Sequence, residues 1–201
     1  MSSELFFIYD SHCPWSYAAT PLVKNICNAF PEMRLQLMHC AYYDGDNHVT
    51  ANTIEAVESL SKVSFNQSYL ATLTHSKDST LAANLLTWVQ HKSNKHALPL
   101  LVAMQKAHFE EGNPLTEKDT VQPLIDELKL SPPAKAFKIE KLTKDAEFVY
   151  HDIEELQEII GTKAIPALLL AHDEKLILLN HNFYLEYPEK IVEAVKAELE
   201  K

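Results

Sequence analysis

The amino-acid sequence predicts an α/β protein in which a small mixed sheet flanked by helices is split by a large all-helical insertion. Three observations predict it. Residues 5–40 read strand, helix, strand; residues 46–145 carry helical patterns with almost no strand signal; and the remainder reads helix, strand, strand, helix.

Leu5–Tyr9 is a continuous apolar run, as expected of a strand covered on both faces. Pro14 to Phe30 is a helix that stops at Phe30-Pro31. Met33 to Cys40 alternates partly and reads as a second strand, so the helix is the crossover of a right-handed βαβ unit. Asp44-Gly45-Asp46-Asn47 reads as a turn, not as a calcium loop, because the glycine such a loop needs at its sixth position is missing. Helices are then expected over 51–62, 79–91, 97–110, 117–129 and 134–144, punctuated by Leu98-Pro99, Asn113-Pro114 and Ser131-Pro132-Pro133. Thr116 with Asp119 suggests a capping box at one start. Asp152 to Ile160 is a helix closed by Gly161, and Pro166–Ala171 and Lys175–Leu179 form a hairpin around His172-Asp173-Glu174. Glu189 to Leu199 is a last amphipathic helix.

The chain of 201 residues is 46% hydrophobic, enough to bury a core without staples. Its formal net charge of -10 argues against nucleic acid or an anionic membrane surface as partner. No apolar run approaches the roughly 18 residues of a spanning helix, and Met1-Ser2-Ser3-Glu4 lacks the basic start of a signal peptide. A cytoplasmic location is the expectation. Cys13, Cys27 and Cys40 lack the spacing of a zinc site, and free thiols are expected of all three, with Cys27 and Cys40 packed as small hydrophobes. The ten histidines offer no metal set.

Cys13-Pro14-Trp15-Ser16 is the segment that carries chemistry. A cysteine where a strand hands over to a helix meets unpaired backbone N–H groups and the helix dipole, both of which favour its thiolate. Such a terminus can bring a thiol from about 8.5 down to roughly 3.5–7.5. Pro14 suits the first helical turn. His12, if protonated, pushes in the same direction; otherwise it faces solvent. Ser16 stands where a Cys-x-x-Cys motif holds its second thiol. A hydroxyl cannot resolve a mixed disulfide, but it can donate a hydrogen bond to a Cys13 thiolate. Two-electron oxidation within the motif is thereby excluded, leaving monothiol chemistry: isomerisation, deglutathionylation, or use of glutathione as co-substrate. Trp15 and Tyr17 either line a substrate surface or pack against the helical block.

The Cys13-Pro14-Trp15-Ser16 motif between first strand and first helix, Ile165-Pro166 before the third strand, and the helical insertion resemble the thioredoxin-fold proteins of the DsbA family. The similarity is to its cytoplasmic, FrnE-like branch, related to kappa-class glutathione transferases and 2-hydroxychromene-2-carboxylate isomerases. The resemblance implies a DsbA-like thioredoxin fold, with residues 1–45 and 146–201 forming the thioredoxin-like domain and 46–145 the insertion. It implies a thiol-disulfide oxidoreductase or isomerase with Cys13 as nucleophile and Ser16 as its hydrogen-bond donor. It also implies a cis Ile165–Pro166 bond beside Cys13, with Ile165 pairing its backbone to an extended substrate or to glutathione; Pro14 and Trp15 complete the substrate-binding set.

Partners of this class are protein or peptide thiols and disulfides or glutathione, with no tightly bound cofactor and no metal, acting as monomer or homodimer. Two rival readings stand beside it. One is a glutathione-dependent transferase or isomerase for small hydrophobic molecules, whose relatives place serine where Cys13 stands. The other is a peptide-binding, chaperone-like module without turnover.

Overall fold

A computed structural model of the chain describes residues 3–200. Strands β1 (Glu4–Tyr9), β2 (Arg34–His39), β5 (Ala167–His172) and β6 (Lys175–Leu178) form one sheet in the order β2-β1-β5-β6. β1 runs parallel to β2, with helix α1 (Pro14–Ala29) as the crossover, and antiparallel to β5. The alternation of β1 divides the core. Leu5, Phe7 and Tyr9 join the larger cluster with Leu22 and Ile26 of α1, whereas Phe6 and Ile8 meet Val149 and Ile153 of α7 (Lys144–Ile160). A central strand packed by helices on both faces must be apolar at nearly every position, which is why Leu5–Tyr9 reads as an unbroken run. Helix α8 (Ile191–Leu199) packs against α1.

Between β2 and α7 lie helices α2 (Ala51–Leu60), α3 (Gln67–Leu70), α4 (Thr80–Lys92), α5 (Ala97–Glu111) and α6 (Lys118–Glu127). The insertion is not wholly helical. Asp44–Asn47, read from sequence as a turn, is strand β3, paired antiparallel with β4 (Lys77–Asp78). Two strands so short and polar carry no periodicity; the ribbon exists because Asp44 and Lys77-Asp78 are brought together by the packing of α4 and the end of β2.

α4 also covers the open edge of the sheet. Gln90 Nε2 donates to Leu35 O at 3.0 Å, and its Oε1 accepts from Leu37 N–H at 3.4 Å. An edge strand is thus capped by a side-chain amide.

The expected helix over 134–144 is the second correction. Only a 3-10 turn, Ala134–Phe137, forms, and α7 begins at Lys144 rather than Asp152. The return segment takes its hydrogen bonds from one buried side chain: Asn84 Nδ2 donates to Lys138 O and Lys141 O, both at 3.0 Å, and Oδ1 accepts from Thr143 N–H at 2.7 Å. Thr143 then caps α7 through Ala146 N–H, and Gly161 ends it in the left-handed region at φ 70°. At α6 the cap lies one residue beyond the expected Thr116: Thr120 Oγ1 accepts from Glu117 N–H at 3.3 Å. Among the described residues no helix is long and apolar enough to cross a membrane.

Candidate active site

β1 delivers the chain to a tight turn in which Cys13 N–H donates to Asp10 O at 3.1 Å. Asp10 is fully buried, and its carboxylate organises this turn. Oδ1 accepts from His12 N–H at 2.8 Å; Oδ2 accepts from Ser79 Oγ at 2.7 Å and from Tyr43 N–H at 3.3 Å. A carboxylate held by three donors remains tolerable away from water. Cys13 follows as the N-cap of α1, with extended backbone (φ -84°, ψ 121°), and its carbonyl accepts from Tyr17 N–H at 3.0 Å. Pro14 occupies the first turn, where its missing N–H leaves nothing unpaired.

Three donors address the Cys13 sulfur: the backbone N–H groups of Trp15 and Ser16, and the Ser16 hydroxyl. Ser16 Oγ itself accepts from Asp10 N–H at 3.3 Å, which leaves its proton for the sulfur. These donors favour the thiolate. Burial opposes them and wins: with Cys13 only 5% exposed, desolvation, helped by the Asp10 charge, pushes the thiol above its ordinary value. The expectation of a lowered thiol is corrected by this burial, which the sequence does not display.

His12 does not act as a protonated neighbour, nor does it face solvent. It is buried, and its ring nitrogens meet Ser11 Oγ and Pro114 O, each at 3.0 Å. Burial pushes it down, so the imidazole is neutral and turned toward the α5–α6 connection.

His39, at the end of β2, lies beside it. Ala41 N–H points at its Nδ1 at 3.0 Å and Ser11 N–H at its Nε2 at 3.1 Å. Nε2 also lies 2.9 Å from Ser11 Oγ, and burial, the main cause, pushes the ring down to about 4. Sequence reasoning misses Asp10, Ser11, His39 and Ser79. Asp10 and Ser11 adjoin the motif, so that adjacency is an available signal; Ser79, far along the chain, offers none.

The structure brings Trp15, Ile165 and Pro166 to one place. The Ile165–Pro166 peptide is cis. Ile8 pairs with Ala167, so Pro166 stands level with the end of β1, where the Cys13 turn begins. A groove of about 380 Å³ runs between Trp15, Leu60, Ile165, Pro166, His181 and Leu185. Tyr17 instead belongs to the packing: it stacks on Phe109 with ring centres 4.6 Å apart and donates to Glu110 Oε1 at 2.8 Å. All three cysteines are free; Cys40 is buried, and Cys27 is half-buried and pushed up to about 11 by desolvation. Among the described residues no group of three or more His, Cys, Asp or Glu side chains is disposed to hold a metal ion.

No protein-family model and no curated protein sequence matches the chain. Solved structures do. The cytosolic disulfide reductase DsbM from Pseudomonas aeruginosa superposes with a TM-score of 0.84 at 22% identity, over 98% of each chain. The same protein with GSH gives 0.80 at 21%, over 98% of this chain and 100% of that one. A Nitrosomonas europaea structure provisionally assigned as a protein disulfide isomerase gives 0.75 at 14%, over the full length of both. The architecture is therefore the thioredoxin fold of DsbA-type disulfide oxidoreductases, with the helical insertion those structures carry.

Proposed function

We propose that the chain is a monothiol thiol-disulfide oxidoreductase in which Cys13 alone carries the covalent chemistry. The convergence of two backbone N–H groups and the Ser16 hydroxyl on Cys13 Sγ is the observation that carries this reading. The Cys13 thiolate attacks a mixed disulfide R–S–S–G, where G is glutathione, forming Cys13–S–S–G and releasing RS⁻. A second glutathione thiolate attacks that bond, restoring the Cys13 thiolate and forming oxidised glutathione. Electrons balance with glutathione as reductant, and Ser16 is never asked to act as a thiol.

The raised thiol sets the direction. A sulfur that resists ionisation is a poor leaving group, so Cys13 held in a disulfide is a weak oxidant. That favours reduction of substrate disulfides over their formation, in keeping with the reductase among the structural relatives. Trp15, Ile165 and Pro166 line the groove for the substrate chain, Ile165 offering its backbone. We place this activity in the cytoplasm, where glutathione keeps thiols reduced.

The test is mass analysis of the protein after exposure to oxidised glutathione. One glutathione adduct on Cys13, released by reduced glutathione and lost in Cys13→Ala, is expected. A protein that forms no such adduct, or whose exchange activity survives Cys13→Ala, overturns the reading.

A further inference from the structure

A second cavity, of about 300 Å³, lies between β4, the segment after α3 and the C-terminal end of α5. His12, Thr72, Lys77, His108, Gly112 and Pro114 contribute to its walls. Lys77 is the unusual member. It is 6% exposed, yet among the described residues no carboxylate pairs with it. Its Nζ donates to Thr72 O at 2.7 Å and to Thr72 Oγ1 at 3.0 Å, and lies 5.3 Å from the centre of the Tyr69 ring. An ammonium has three N–H donors, so one is left over.

A secluded positive charge without a counter-ion is costly unless a ligand supplies one. Asp78, also on the wall, receives Thr80 N–H at 2.9 Å and forms no ion pair with Lys77. A neighbouring wall residue is likewise incomplete: His108 Nδ1 is engaged by Asn113 O at 2.7 Å, while Nε2 has no partner. The cavity therefore offers a cation short of an anion, beside an imidazole short of a donor.

Its position ties it to Cys13. His12 forms one wall and immediately precedes the cysteine. Tyr69, under Lys77, has its phenol pushed up by burial first and by the charge of Cys13 second.

We propose that this cavity is a subsite for the carboxylate of a small ligand, held by Lys77, and, resting on the monothiol reading above, that the ligand is the carboxylate-bearing thiol glutathione. Glutathione has a carboxylate for Lys77 at either end, and its ammonium is a donor of the kind His108 Nε2 lacks. The site then selects glutathione over uncharged thiols by neutralising a charge that the apo protein leaves open.

The experiment separates this subsite from the chemistry. Cys13→Ser removes the covalent step, and calorimetric titration of that variant with glutathione reads binding alone. A Lys77→Gln change in the same background is expected to weaken binding by about tenfold or more, the loss of one charged hydrogen bond. Lys77→Arg, which keeps the charge, is expected to recover much of it, and the diethyl ester of glutathione should bind weakly and equally to all three. Equal affinity for glutathione with and without the Lys77→Gln change, or no binding by Cys13→Ser at all, overturns the subsite. Propionate binding as tightly as glutathione, and equally dependent on Lys77, assigns the cavity to free carboxylates and overturns the glutathione half. Lys77-dependent binding with no exchange activity in the wild type would sink the monothiol reading and leave the subsite standing.

Discussion

Replacing Ser16 by alanine removes one of the three donors that reach Cys13 Sγ and leaves the two backbone N–H groups in place. A hydrogen bond to a charged group is worth about 1.5–3 kcal/mol, and one pKa unit corresponds to about 1.4 kcal/mol. The Cys13 thiol, already pushed up by burial, should therefore rise by about one to two further units. Below both values the thiolate fraction, and with it the rate of alkylation, falls by about ten- to a hundredfold at fixed pH. Iodoacetamide labelling at a series of pH values, quantified by mass on Cys13 in a protein carrying Cys27→Ala and Cys40→Ala, measures this directly. Wild-type labelling should rise at higher pH than that of an ordinary thiol. The same substitution strips Asp10 N–H of its acceptor, which was 3.3 Å away, so a fall in stability of about 1–3 kcal/mol accompanies the shift. Thermal melts account for that part separately. Identical labelling profiles for Ser16→Ala and the wild type would refute the assignment of the hydroxyl to the sulfur.

Three further outcomes are expected. Asp10→Asn removes the charge that helps push Cys13 up, so labelling of Cys13 should move to lower pH even though the Ser79 and Tyr43 contacts are disturbed and the melting temperature falls; a shift to higher pH contradicts the charge argument. Because His39 is pushed down to about 4, the unfolded chain takes up a proton that the folded one refuses. That stability is intact above an ordinary histidine value of about 6.5 and drains away as pH falls toward 4, by about 3 kcal/mol for this ring alone; urea midpoints unchanged between about pH 7 and 4.5 would refute it. Gly112→Ala places a Cβ 2.7 Å from Ser68 Cβ at a φ of 74°, and should lower stability by about 1–3 kcal/mol; an unchanged melting temperature would refute the close approach.

The sheet and the motif are legible in the sequence because both are local. Leu5–Tyr9 declares a doubly covered strand by its unbroken apolarity, and Cys13-Pro14-Trp15-Ser16 sits where strand becomes helix. Ile165-Pro166 can be placed only through the resemblance, since nothing in those two residues alone points across the sheet to Cys13. What stays hidden depends on distant partners. Asn84 replaces an expected helix by accepting and donating for a segment more than fifty residues away. His12 reads as a candidate cation because its contact with Pro114 O, 102 residues along, lies outside any local window. The burial of Cys13 is of the same kind: its helix position argues for ionisation, and the surrounding core argues against it more strongly.

Gln90 has a consequence for the behaviour of the half-folded chain. Its amide accepts from one peptide group of β2 and donates to another, as the backbone of a fifth strand would. While α4 is docked, no other molecule can add to that side of the sheet. Were the helix to lift, a ready edge flanked by Leu35 and Leu37 would be open to a second copy, so Gln90, with Asn94 Nδ2 donating to Leu35 O at 3.4 Å beside it, guards the β2 side of this four-stranded sheet against pairing with another chain.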